Sequence, residues 1–221
     1  LAEALTRWFS CEFGSISPAK FIPVLEESGY ITRLDSFVYH TVYELLEKRQ
    51  KEGKRNVDID VNLSRMDLMD KNIMDSILND VKTSELPRGS ISYEITESAY
   101  AGISEAGNRF LEEMHAAGAK LLVDDFGSGV SSFSTIRDYD FDILKLDMGF
   151  VRNIGLNRKN NNIIISLIEL AHRLDLKVIA EGVETKEQAD FLRENGCDYF
   201  QGYYFSRPMP QEEFEALLDE Q

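Results

Sequence analysis

The sequence predicts an α/β fold of parallel strands, closed into a barrel rather than spread as an open sheet. Two patterns predict it. Strand-like segments alternate with helix-like segments along the chain, and no Pro/Ser/Gly-rich linker divides them. Strands separated by helices pair in parallel through right-handed crossovers. Each strand candidate also carries its unusual polar residue at or near its C-terminal end: Asn62, Glu94, Asp124 with Asp125, Lys145 with Asp147, Glu181 and Gln201. In a parallel barrel those ends converge on one mouth, whereas an open sheet spreads them along an edge. The length of 221 residues suits one such unit. Six strand candidates follow Val57, and Leu1–Trp8 is either a seventh or a helix. That count fits both architectures, so the position of the polar residues decides.

The elements follow in order. Ser17-Pro18 reads as an N-cap with proline at the first helical position, and Gly29 as the stop. From Thr32 to about Gly53, Leu34, Val38, Val42, Leu45 and Leu46 form one stripe. Val57–Asn62 alternates with a period of two, a strand signature. Ile91–Thr96, Lys120–Asp125, Ile143–Asp147, Lys177–Ala180 and Tyr199–Gln201 are short, apolar and bounded by turn residues. Ser104 starts a helix that Gly118 ends, and Asn160–Leu174 is an Ile/Leu-rich helix suited to packing on a sheet. Thr185 with Gln188 is a capping-box pattern, closed by Gly196.

Lys and Arg number 24 against 39 Asp and Glu, a formal net charge of −15. That balance argues against duplex nucleic acid held on a basic face, but not against a phosphate held through cations among carboxylates. Hydrophobic residues are 43% and charged residues 29%, a globular balance. No run approaches the ~18–20 apolar residues of a membrane span, so insertion into a membrane is not expected. Cys11 and Cys197 have no metal-type spacing, which suits a reducing cytoplasm.

Taken singly, each polar residue has a plain structural explanation. Asn62 suits a turn after its strand, and Glu181 with Glu184 suits the start of a helix. Lys145 and Asp147, two apart, suit a structural ion pair on one strand face. Glu94 is harder to dismiss, because it stands between Tyr93 and Ile95, and a buried carboxylate is costly unless paired or metal-bound. Adjacent Asp124 and Asp125 repel unless a cation sits between them. Together, five carboxylates, an Asn and a Lys at strand ends read as a divalent-cation site. Oxygen donors without paired histidines point to Mg²⁺ or Mn²⁺ rather than zinc. His40, His115 and His172 all lie in helical patterns and read as packing or surface residues. Gly127-Ser128-Gly129 lacks the Gly-Lys-Ser/Thr ending of a P-loop. A glycosidase carboxylate pair explains neither the Asp pair beside Lys145 nor Asn62.

The residues then match a known pattern. Glu3-Ala4-Leu5 with Thr6-Arg7-Trp8 resembles the opening signature of EAL domains, the cyclic di-GMP phosphodiesterases. FIP (Phe21–Pro23), VNLS (Val61–Ser64), EITES (Glu94–Ser98), DDFGSG (Asp124–Gly129), LKLD (Leu144–Asp147), AEGVE (Ala180–Glu184) and GCDYFQGYYFSRP (Gly196–Pro208) follow in order and span essentially the whole chain. A second Glu-Ala-Leu at Glu215–Leu217 reads as ordinary helix.

The resemblance implies a modified TIM (β/α)8 barrel with one antiparallel strand, and a single domain over 1–221 within a larger signalling protein. It implies hydrolysis of cyclic di-GMP to pGpG with two Mg²⁺ or Mn²⁺ ions. By motif, Glu3, Asn62, Glu94 and Asp124 hold one cation, and Asp124, Asp125 and Glu181 the second. Glu3, Lys145 and Glu181 are the catalytic set, with Lys145 beside the attacking water. Leu5, Arg7, Asp147 and Gln201 line the substrate, Arg7 at a phosphate. Glu97 and Glu184 support the site and the DDFGSG loop, the side through which a homodimer is expected. The family's first strand, with a YQP-like stretch, is expected to lie outside this chain, Val130 replaces a usual aromatic, and Met148-Gly149 replaces a more polar pair. The alternative is a catalytically silent cyclic di-GMP receptor or regulatory module. The domain is expected to face the cytoplasm.

Overall fold

The computed structural model describes residues 1–100, 102–127, 136–137 and 139–220. In chain order the elements begin with β1 (Ala2–Glu3), β2 (Trp8–Ser10), β3 (Gly14–Ile16), α1 (Pro18–Ser28), α2 (Ile31–Lys51), β4 (Ile59–Asn62), α3 (Lys71–Thr83) and β5 (Ile91–Thr96). Next come α4 (Glu97–Tyr100), α5 (Glu105–Ala116), β6 (Lys120–Phe126), β7 (Ile143–Leu146), α6 (Met148–Arg152) and α7 (Arg158–Arg173). Then follow β8 (Lys177–Ala180), α8 (Lys186–Glu194), β9 (Tyr199–Phe200) and α9 (Gln211–Asp219). The chain divides into two compact units, one of Leu1–Ile95, Gly102–Lys120 and Pro210–Gln221, the other of Thr96–Ala101 and Leu121–Met209.

In the first unit, β1, β4 and β5 pair in parallel, with Glu3 opposite Asp60 and Asn62 opposite Glu94. The ambiguous Leu1–Trp8 segment is therefore a short strand that ends before a separate antiparallel hairpin of β2 and β3. The helix boundaries follow local chemistry. Pro18 opens α1, and Gly29 closes it in the left-handed conformation at φ 75°, its N–H donating to the Glu26 carbonyl. Along α2, Val42, Leu45 and Leu46 are buried as their stripe predicts. Ser104 caps α5 by accepting from the Gly107 N–H. The predicted set contained no helix between Val57–Asn62 and Ile91–Thr96, yet α3 fills that stretch. Asp70 starts it by accepting from the N–H groups of Asn72 and Ile73. Only Met74 and Ile77 of α3 are buried, too thin a stripe to read at sequence level.

In the second unit, β6, β7, β8 and β9 pair in parallel in that order. Leu122, Ile143 and Ile179 form a buried cluster on these strands, and Ile164, Ile168 and Ala171 of α7 are buried as well. The Thr185–Gln188 capping box forms in full at the head of α8. All described pairings of β1 and β4–β9 are parallel, and the described antiparallel pair is the β2–β3 hairpin. The three histidines lie on α2, α5 and α7 as expected. His172 has a structural task there: its Nε2 lies 2.8 Å from Asp198 Oδ2, which also accepts from the Val178 N–H. Glu215–Leu217 is part of α9, an ordinary helix. No helix among the described residues is long and apolar enough to cross a membrane.

Candidate functional site

In the first unit, strand register brings the predicted acids together. Residues two apart on a strand share a face, and residues opposite one another on paired strands are neighbours. Glu3 at the end of β1 is therefore beside Asp60, Asp60 beside Ser92, and Asn62 beside Glu94. Glu94 is 1% exposed, while Asn62 is exposed at the strand end. Carboxylate oxygens of Glu3 and Glu94 lie within 4.8 Å of each other. Two carboxylates at that spacing form a cluster of oxygen donors of the kind a divalent cation takes. Asp60, also 1% exposed, is a further acid on this face that sequence reasoning did not single out. Its signal was the polar phase of the VDIDVN alternation, which ends in Asn62. Asn62 does not close the following turn. Asp67 does, accepting from both the N–H and the hydroxyl of Ser64 at 2.7 Å. Leu5 and Arg7 are exposed, the Arg7 guanidinium donating to the Thr6 carbonyl.

In the second unit, Lys145 is the centre of an ion-pair group. It is 1% exposed, with Nζ 2.6 Å from Glu181 Oε1 and 3.8 Å from Asp124 Oδ1. The adjacent Asp124 and Asp125 are accommodated by a β-bulge. Val123 pairs with Leu144 and Phe126 with Leu146, so three steps on β6 match two on β7. Asp125 takes the left-handed conformation at φ 54°, a strained choice for a non-glycine residue. A regular strand would send the two side chains to opposite faces, yet both are half-buried here. Burial, then the charges of Asp147 and Glu97, push the Asp125 carboxyl above its ordinary value. A cation beside it would reverse that sign, and the oxygen-only donors here are of the kind a hard divalent cation takes.

The remaining predicted residues have defined settings in this unit. Glu97 heads α4 and is 4% exposed. Asp147 caps α6, its Oδ1 accepting from the Gly149 N–H at 2.8 Å. A Cβ at Gly149 would lie 2.7 Å from that oxygen, which explains glycine at this departure from the family pattern. The Gln201 carbonyl accepts from the Val183 N–H. Glu184 is exposed, its N–H donating to Gln188 Oε1 at 2.7 Å. Ser128, Gly129 and Val130, the rest of the DDFGSG loop and its departure, lie outside the described residues.

Comparison with known proteins identifies the family. Residues 1–208 match the EAL domain family. The cyclic di-GMP phosphodiesterase NbdA of Pseudomonas aeruginosa is 34% identical over 98% of this chain, which covers 28% of NbdA. The cyclic di-GMP phosphodiesterase PdeR of Escherichia coli is 35% identical over 96% of this chain, covering 32% of PdeR. The chain thus spans about three tenths of the length of these curated relatives. The solved structure of the PaMucR phosphodiesterase in complex with c-di-GMP is similar with a TM-score of 0.87 at 32% identity, over 96% of this chain and 86% of that one. The fold is accordingly the α/β, modified TIM-barrel fold of EAL domains, and the chain belongs to the EAL domain family.

Proposed function

We propose that this chain is a divalent-cation-dependent phosphodiesterase that hydrolyses cyclic di-GMP to linear pGpG. The observation that carries the reading is the buried Lys145 between Glu181 and Asp124, on a strand next to an Asp pair set in a bulge. The relatives named as cyclic di-GMP phosphodiesterases support it. In this reading Glu3, Asn62 and Glu94 would hold a divalent cation, as would Asp124, Asp125 and Glu181. The closeness of the Glu3 and Glu94 carboxylates and the oxygen-only donors suit Mg²⁺ or Mn²⁺ there. Bound cations at such a site polarise the phosphodiester and make water a better nucleophile.

The chain's own groups do the rest. Arg7 contacts a substrate phosphate, with Leu5, Asp147 and Gln201 lining the nucleotide. Lys145 orients the attacking water and offsets charge that develops in the transition state. Glu181, held by Lys145, takes the water's proton at its carboxylate. Glu97 and Glu184 brace the loop and strand ends. The domain faces the cytoplasm as part of a longer signalling protein, which a further segment could tether to a membrane, and two copies pair through the DDFGSG-loop side.

The test is hydrolysis of cyclic di-GMP by the purified chain and its Glu3→Ala variant, read as pGpG by chromatography. The wild type should turn over with Mn²⁺ or Mg²⁺, and the variant should not. Full hydrolysis by Glu3→Ala would overturn the assignment, and binding without turnover in saturating Mg²⁺ would identify a receptor instead.

A further inference from the structure

Outside the residues assigned above, the first unit holds a second acidic pair. Asp35 lies on α2 beside its buried stripe, and Asp67 opens the short 3₁₀ turn Asp67–Met69 that follows β4. Asp67 is 1% exposed, and its Oδ2 is occupied by the two hydrogen bonds from Ser64. Asp67 Oδ1 and Asp35 Oδ2 are fully buried, and neither receives a hydrogen bond from a donor among the described residues. The two carboxyl groups face each other at hydrogen-bonding range. Two ionised carboxylates have only acceptors to offer, so such a contact is satisfied when one keeps a proton and donates it to the other. The charges acting from neighbouring elements are also negative: Glu26 on α1 acts on Asp35, and Asp70 at the head of α3 acts on Asp67. Burial first, then the Asp67 charge, push the Asp35 carboxyl up to about 8. Burial raises Asp67 as well; the Ser64 hydroxyl favours the ionised form of both acids, and the Ser64 N–H favours that of Asp67 alone. Asp35 is therefore the donor and Asp67 the acceptor.

We infer that Asp35 and Asp67 share one proton, and that this carboxyl–carboxylate bond is a positioning device that locks the turn after Asn62 onto α2. The backbone link is short. Asn62 ends β4, the Leu63 N–H donates to the Glu94 carbonyl at 2.8 Å, and the next N–H, that of Ser64, is held by Asp67. The shared proton stands independently of any activity. Its consequence for the site rests on the proposed role of Asn62 as a cation ligand.

Two variants separate the parts. Asp35→Asn keeps an N–H donor where the shared proton was, and Asp35→Leu removes the donor while leaving Asp67 buried. Carboxyl ¹³C titration of the wild type should show one member of the pair releasing its proton near pH 8. Wild-type urea stability should fall between about pH 4 and 8, and Asp35→Asn should flatten that fall. Mn²⁺ affinity, read by electron paramagnetic resonance, should survive in Asp35→Asn and drop about 10-fold in Asp35→Leu, the scale expected when a group supporting a ligand is lost. Both carboxyls titrating near 4, or Asp35→Asn losing as much Mn²⁺ affinity as Asp35→Leu, would overturn the inference. If the wild type binds no Mn²⁺, the phosphodiesterase reading fails, while the carboxyl titration still decides the shared proton.

Discussion

At Lys145 a full positive charge is held at 1% exposure by two carboxylates, 2.6 and 3.8 Å away. An ion so deeply placed costs several kcal/mol in lost hydration, which these partners offset. Lys145→Met should therefore act twice. Without cations it should be less stable than wild type by about 3–5 kcal/mol, because Glu181 and Asp124 keep their charge and lose its partner. With saturating Mn²⁺ its kcat should fall by about 10²–10³, the typical loss for one preorganised donor. Denaturant unfolding and steady-state kinetics check the two arms, and a variant with unchanged kcat would remove Lys145 from the chemistry. At this scale the sequence was informative where a polar residue interrupts an apolar strand, as at Glu94 and Lys145. It was silent at Asp35 and Asp67. One sits in an ordinary helical stripe and the other in a polar turn, and only tertiary packing makes them partners.

The elements were legible where local chemistry sets a boundary. Ser17-Pro18 with Gly29, Ser104 with Gly118, and the Thr185–Gln188 box all mark real helix ends. Thr185→Ala should cost about 1 kcal/mol in urea unfolding, the usual worth of an N-cap. The bulge at Asp124-Asp125 was not legible, because it is a property of pairing with β7, and the strand's own residues read as regular. α3 was missed for the opposite reason, since most of its length faces solvent. Close packing after β8 gives a further test. A Cβ at Gly202 would lie 2.2 Å from the Val183 carbonyl oxygen. Gly202→Ala should displace the turn that carries Gln201 and lower stability by about 3 kcal/mol, the upper range for forced overpacking. An alanine variant with wild-type stability would mean that this contact yields cheaply.

For the molecule as a whole, the order of strands and helices was readable from alternation, and the family followed from motifs spread from Glu3 to Pro208. A net charge of −15 and clustered carboxylates make stability depend on what neutralises them. Mn²⁺ at a hundred times its dissociation constant should add about 2.7 kcal/mol per occupied site, read as a rise in Tm that EDTA reverses. Protons act through Asp35. Its carboxyl is raised from 3.8 to about 8 in the folded chain, so the folded state holds the proton more tightly than the unfolded one. Stability is then highest below about pH 4 for this group and declines as pH climbs toward 8. Asp125, raised as well, adds to the same slope, and Asp35→Asn isolates the share that belongs to the buried pair. The most direct test of the account is cyclic di-GMP turnover by the purified chain in Mn²⁺ with and without EDTA, run beside Lys145→Met. The account predicts pGpG that appears with Mn²⁺, disappears with EDTA and falls at least about 10²-fold in the variant. Hydrolysis indifferent to EDTA, or nucleotide binding with no turnover at any Mn²⁺ concentration, would contradict it.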